Sequence, residues 1–204
     1  MYVMRSRPTD CLWMGSAFGA ALISATIVIM VFGAGERGTA TALRVSARFS
    51  FLLFWIAYAG SPLTALFGAT FQPLKKRARE FGLAFAAALL VHIGLVGWLC
   101  WIGAPPAFGV FVFFGIAVLF TYLLALFSIG NLQQVLGPRW WWLLRTLGMN
   151  YIAYAFFTDF INNPLDVSIK HLVSYLPFVI LVVAGPFLRL AAWTLQMKDR
   201  WLRI

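Results

Sequence analysis

Of the two histidines in this chain, His92 stands near the middle of an apolar run long enough to cross a bilayer. An ionisable side chain at that depth is costly, so it is a functional candidate by default. Imidazole in such a position ligates haem iron, relays a proton, or hydrogen-bonds a neighbouring helix. Haem ligation normally shows itself as several histidines on facing helices. The other one, His171, falls in a loop before the last apolar run. As a lone His, His92 leaves one interhelical hydrogen bond standing as the structural reading beside the chemical ones.

A second constellation lies further along. Tyr151, Tyr154, Thr158 and Asn162 recur at intervals of three or four residues and share one helical face, with Asn150, Asp159 and Asn163 on flanking positions. That face must look into the bundle or into a cavity. It suits a pocket for a quinone-like or other small ligand, and it equally suits interhelical hydrogen bonds and solvated helix ends. Arg44 and Arg48 open the second apolar run, where a guanidinium pairs with lipid phosphate, a haem propionate or an acid such as Asp166, or snorkels to headgroups. The run Lys75, Lys76, Arg77 and Arg79 reads as a topology determinant and as a docking surface for an acidic cytoplasmic partner. Glu36 and Glu80 are the only glutamates and neither lies deep in an apolar run, so a carboxylate-driven proton pump is poorly equipped. Cys11 and Cys100 fall at opposite ends of their runs, which argues against a disulfide or a thiolate metal site.

These residues need elements to hold them, and composition names the class. With 62% hydrophobic and 11% charged residues, a water-soluble ball cannot hide the apolar side chains, and lipid has to cover them. Backbone groups in lipid must pair internally, so the elements are helices. A net charge of +10 would suggest nucleic acid in a soluble chain. Here the basic residues flank apolar runs and read as topology signals, with no nucleic-acid partner.

Six spans are expected in a single transmembrane domain, 1–204: about Leu12–Gly33, Ala47–Phe67, Phe81–Ile102, Phe108–Ile129, Leu143–Ile161 and Leu172–Trp193. The first is longer than a signal-peptide core of about 7 to 15 residues and is expected to be retained. Gly15 and Gly19 give it a small-residue face for packing or dimerisation. Pro62 is expected to bend the second. The Lys75–Arg79 loop, the head with Arg5 and Arg7, the turn with Arg139 and Arg145 and the tail with Arg189, Lys198, Arg200 and Arg203 all fall on one side. Only Arg37, Arg44, Arg48 and Lys170 fall on the other. Retention of basic loops in the cytoplasm then puts both termini inside, in a bacterial inner membrane.

Three stretches carry a family likeness: Ser46 to Phe67 with Ser61-Pro62-Leu63 near its end; Arg79 through Phe81-Gly82-Leu83 to His92; and Leu136-Gly137, Arg139, Trp140 and Leu143. Together they resemble the ferric reductase-like transmembrane domain family. Its small bacterial branch, the haem-binding membrane subunit of the methionine sulfoxide reductase system, is the most similar. The resemblance implies a core at about 44–163, an axial haem-ligand position at His92, and electron flow from a cytosolic flavin or quinol through haem to an acceptor on the outer side. In the family the fifth span opens LGxxWxxLH and carries a second His further on. In this chain those two positions read Leu144 and Phe157, which cannot bind iron. Met149 is the thioether in that helix and stands at neither position, leaving a His/Met haem as the remaining ligand pair.

Two expectations follow. In one, the chain is a membrane partner or ligand-binding subunit with degenerate haem sites, using the polar fifth-span face and the basic loop. In the other, it is an oxidoreductase-type electron-transfer subunit, served by a separate cytosolic or periplasmic redox partner. It then holds one b-type haem on His92, with Arg48 and Met149 as further contacts, or a quinone between the third and fifth spans.

Overall fold

In a computed structural model of the chain, the backbone is described for residues 8–129, 132–162 and 169–201, and side chains for 9–129, 132–161 and 175–197. The elements are α1 (Pro8–Phe32), α2 (Glu36–Phe67), a 3-10 turn (Gly68–Phe71), the short α3 (Gln72–Lys76), α4 (Ala78–Trp101), α5 (Phe108–Ser128), α6 (Gln133–Asn162) and α7 (Ile169–Trp201). Among the described residues every regular element is helical. Five helices are long and apolar enough to cross a membrane: those of Thr9–Phe32, Glu36–Lys76, Ala78–Trp101, Phe108–Ser128 and Tyr175–Met197. The long helix outside that set is α6, the expected fifth span, whose length includes Arg139, Arg145 and Asp159.

Three elements differ from their expected bounds, among them α7, which runs on to Trp201, eight residues past the expected Trp193. Helix α2 begins at Glu36, so Arg44 and Arg48 lie about two and three turns inside it instead of at its start. Helix α6 is broken at Gly137, which takes φ 75 and ψ 162, and resumes at Pro138. Proline suits the first turn of a helix because the missing N–H has no intrahelical partner there. The helical segment therefore starts before Leu143 and carries Arg139, Trp140, Trp141 and Trp142 on its first turns.

Packing divides into two cores. In the first, Ala17, Ala21 and Ala25 of α1 meet Ala42 of α2 and Ala84, Ala88, Val91 and Leu95 of α4. Small side chains at four-residue intervals let helix backbones approach closely, which is how helices associate where lipid removes the hydrophobic drive. Gly15 and Gly19, expected to make that face, instead leave open space around them. The second core is aromatic: Phe51, Phe54 and Tyr58 of α2, Phe85 of α4, Phe160 of α6 and Tyr175 of α7 are all buried. Phe51 meets Phe160 edge-on at a centroid distance of 4.9 Å, a geometry worth about 0.5–1.5 kcal/mol beyond area. At the far end of α2 the chain turns back so tightly that a Cβ on Gly60 would stand 3.1 Å from the Leu74 carbonyl carbon of α3. That approach draws the Lys75 to Arg79 segment against the bundle. On the outer surface α5 buries only Ala117 and Thr121 and exposes Phe108, Phe111 and Leu119.

Candidate functional site

Four helices converge around one open cleft of about 160 Å³. Phe54 and Ala57 line it from the second half of α2, Arg79, Gly82, Leu83 and Phe85 from the start of α4, and Thr121, Leu124, Ala125 and Ser128 from the end of α5. Gln133, Trp141, Arg145, Met149 and Ile152 complete it from α6.

The walls are held by a few specific bonds. Arg79 donates through Nη2 to Asp10 Oδ2 at 2.9 Å, and through Nε and Nη2 to the Ser128 carbonyl at 3.1 and 2.9 Å. One guanidinium thus joins the beginnings of α1 and α4 to the end of α5. The Ser128 carbonyl lies in the last turn of α5, where helix carbonyls lack intrahelical donors, and the fork of Arg79 satisfies it. Tyr122 donates to the Ala86 carbonyl at 3.1 Å, tying α5 to α4. Tyr151 donates to the Phe113 carbonyl at 3.1 Å, tying α6 to α5. On the α2 side, Asn150 Oδ1 accepts from Tyr58 Oη at 2.9 Å and from Arg189 Nη1 at 3.0 Å, while the Arg189 guanidinium lies 4.4 Å over the Tyr58 ring.

The residues singled out from the sequence are not brought to one spot. His92 faces α2: its Nδ1 stands 2.9 Å from Ser46 Oγ, and Ser46 donates to the Leu43 carbonyl at 3.0 Å. His92 does not line the cleft, whereas Met149 does. Arg48 packs on aromatic rings of α7, with Cζ 4.4 Å from the Tyr175 centroid and 5.3 Å from that of Phe178. Arg44 is exposed. The polar face of α6 divides by turn. Tyr151 bonds α5 as above, and Tyr154 is 54% exposed with its ring against Phe113 and Phe157. Thr158 donates to the Ala155 carbonyl one turn back at 2.8 Å. Asn162 ends α6 with its side chain outside the described residues, as are the side chains of Asn163, Asp166, Lys170 and His171.

A haem would need a donor opposite His92 and a slot between the facing helices. The imidazole is bonded instead to Ser46 across the α2–α4 contact, and Ala42 of α2 and Ala84 and Ala88 of α4 are fully buried. On α6, Leu144 and Phe157 offer no donor atom. The residues present do not fit the group. Among the described residues no cluster of three His, Cys, Asp or Glu side chains is positioned for a metal ion.

What the cleft offers is binding and orientation. Its inner wall is apolar and aromatic, and its polar side-chain groups are two guanidiniums, a carboxamide, an indole N–H and two hydroxyls. Sequence reasoning counted Arg79 and Arg145 as topology signals and passed over Asp10, Ser128 and Gln133. The available signal for Arg145 was its position inside an expected span. No family model, curated protein or solved structure matches the chain.

Proposed function

We propose that this chain is a six-span bacterial inner-membrane protein of ferric reductase-like ancestry, with both termini in the cytoplasm. It works as a ligand-binding or partner subunit whose haem sites are degenerate. The orientation rests on the basic residues gathered at the α3 end of the bundle. With α6 counted as a span, Asn150 bonds Tyr58 of α2, Tyr151 bonds the Phe113 carbonyl of α5, and Arg145 lines the cleft.

The observation that carries the reading is the cleft itself. It opens between α4 and α6, the helices between which the family's haem hangs, and it is lined by side chains suited to an organic ligand. His92 is engaged with Ser46 outside it. A quinone is the second reading, favoured by the aromatic and thioether wall of Phe54, Phe85, Trp141 and Met149. In that case the chain passes electrons between a cytosolic or periplasmic partner and the quinone pool.

A reduced-minus-oxidised visible spectrum of the detergent-purified chain, expressed with ample haem, tests the proposal. A flat spectrum is expected. A stoichiometric b-type signal that disappears in His92→Ala would overturn it, and a copurifying quinone would select the second reading.

A further inference from the structure

The cleft holds a charge with no answering partner. Arg79 lines the cleft and is bonded to Asp10 and to the Ser128 carbonyl through Nε and Nη2, and among the described residues no bond uses its Nη1. Arg145 lines the same cleft, and among the described residues it has no ion-pair or hydrogen-bond partner. Guanidinium is always ionised, and Arg145 is exposed on the wall of the open cleft, so its charge is accessible to an anion from outside the chain. Such an anion would answer the charge that the chain itself leaves unpaired.

The other walls describe the rest of that anion. From the guanidiniums the lining runs to Leu83, Phe85, Leu124 and Ile152, with no acidic side chain among the lining residues. A small soluble anion would satisfy the arginines and leave this apolar wall uncovered. Neutral lipid would cover the wall and leave the charge unanswered. Basic pockets between helices at the cytoplasmic face are suited to phosphate headgroups, and a planar fork matches a phosphate in bidentate fashion. The break at Gly137 adds the start of a helix, with its outward N–H groups, at the same end.

We infer that the cleft binds an anionic phospholipid, its headgroup phosphate on Arg145 and the free edge of Arg79 and the first part of one acyl chain along the α4, α5 and α6 wall. This rests on the ligand-binding reading and names the class of ligand.

Native mass spectrometry of the full chain, in detergent with equal phosphatidylglycerol and phosphatidylcholine, reads the preference directly. Phosphatidylglycerol should be retained about tenfold over phosphatidylcholine, and Arg145→Gln should lower its retention about tenfold, as expected for one charge-assisted bidentate contact. Arg139→Gln, an exposed neighbour outside the cleft, should change nothing. Ala125→Phe fills the cleft without touching a charge, and it too should lower retention; this variant serves if Arg145→Gln fails to fold. Equal retention of the two lipids, or full displacement by millimolar inorganic phosphate, overturns the inference. If a neutral lipid is retained and lost in Ala125→Phe, the anionic class falls while the ligand-binding reading stands. Loss of every ligand together with a His92-dependent haem spectrum ends both.

Discussion

Arg79 Nη2 lies 2.9 Å from Asp10 Oδ2, and the acid's side chain is 4% exposed against 33% for the arginine. The pair joins residues that sequence reading treats as unrelated: one in the basic loop and one in the head before the first span. Asp10→Asn keeps the shape and removes the charge, leaving a half-buried guanidinium with only the Ser128 carbonyl. A loss of about 1–3 kcal/mol is expected in reversible unfolding of the detergent-solubilised chain. An unchanged midpoint would mean that water or headgroups replace the carboxylate at no cost.

Ser46 is fully buried and is the side-chain partner of His92. Ser46→Ala should destabilise the fold by about 0.6–2 kcal/mol, the range for polar contacts between helices in membranes. His92→Ala should cost a similar amount, and the double variant less than the two together, because both singles delete one bond. Strict additivity would show that the two side chains do not interact.

Tyr58 offers two contacts that one substitution separates. Tyr58→Phe removes the hydroxyl bond to Asn150 and keeps the ring beneath Arg189, so a loss of about 1 kcal/mol is expected. Tyr58→Leu removes the ring as well and should add about 0.5–1 kcal/mol for the cation–π contact. Thermal unfolding of the two variants side by side measures the difference. Equal losses would assign no value to the stacked guanidinium.

The two native cysteines report the orientation. Cys11 is exposed near the start of α1 and Cys100 is partly exposed near the end of α4. With the amino terminus inside, a membrane-impermeant maleimide should label Cys100 in intact spheroplasts and reach Cys11 only after permeabilisation. The reverse pattern would invert the topology.

Much of the frame was legible in the sequence because lipid imposes a simple demand. A run of apolar residues must be helical and of spanning length, and the runs near Leu12, Phe81 and Phe108 correspond to helices within a few residues. The bounds missed were those set by polar chemistry. Glu36 to Ser46 is too mixed to read as a span, yet it continues α2 as regular helix, and Ser46 then becomes the partner of His92. The α1 packing face was read as Gly15 and Gly19 and lies instead along Ala17, Ala21 and Ala25. Both sets have the four-residue spacing, and hydropathy does not distinguish which side of an all-apolar helix turns inward.

By itself, then, the sequence determined that this chain is helical, that lipid-length apolar segments dominate it, and that His92 stands near the middle of one of them, since each follows from composition and local spacing. Tertiary structure alone decided the rest. It turned His92 toward Ser46, coupled Arg79 to Asp10 and Ser128 across three helices, and left Arg145 facing a cleft with no acid of its own. The physical reason is that a side chain's partner depends on the rotation and crossing of whole helices. Those are set by the sum of many small packing contacts distant in the chain, which no local pattern records.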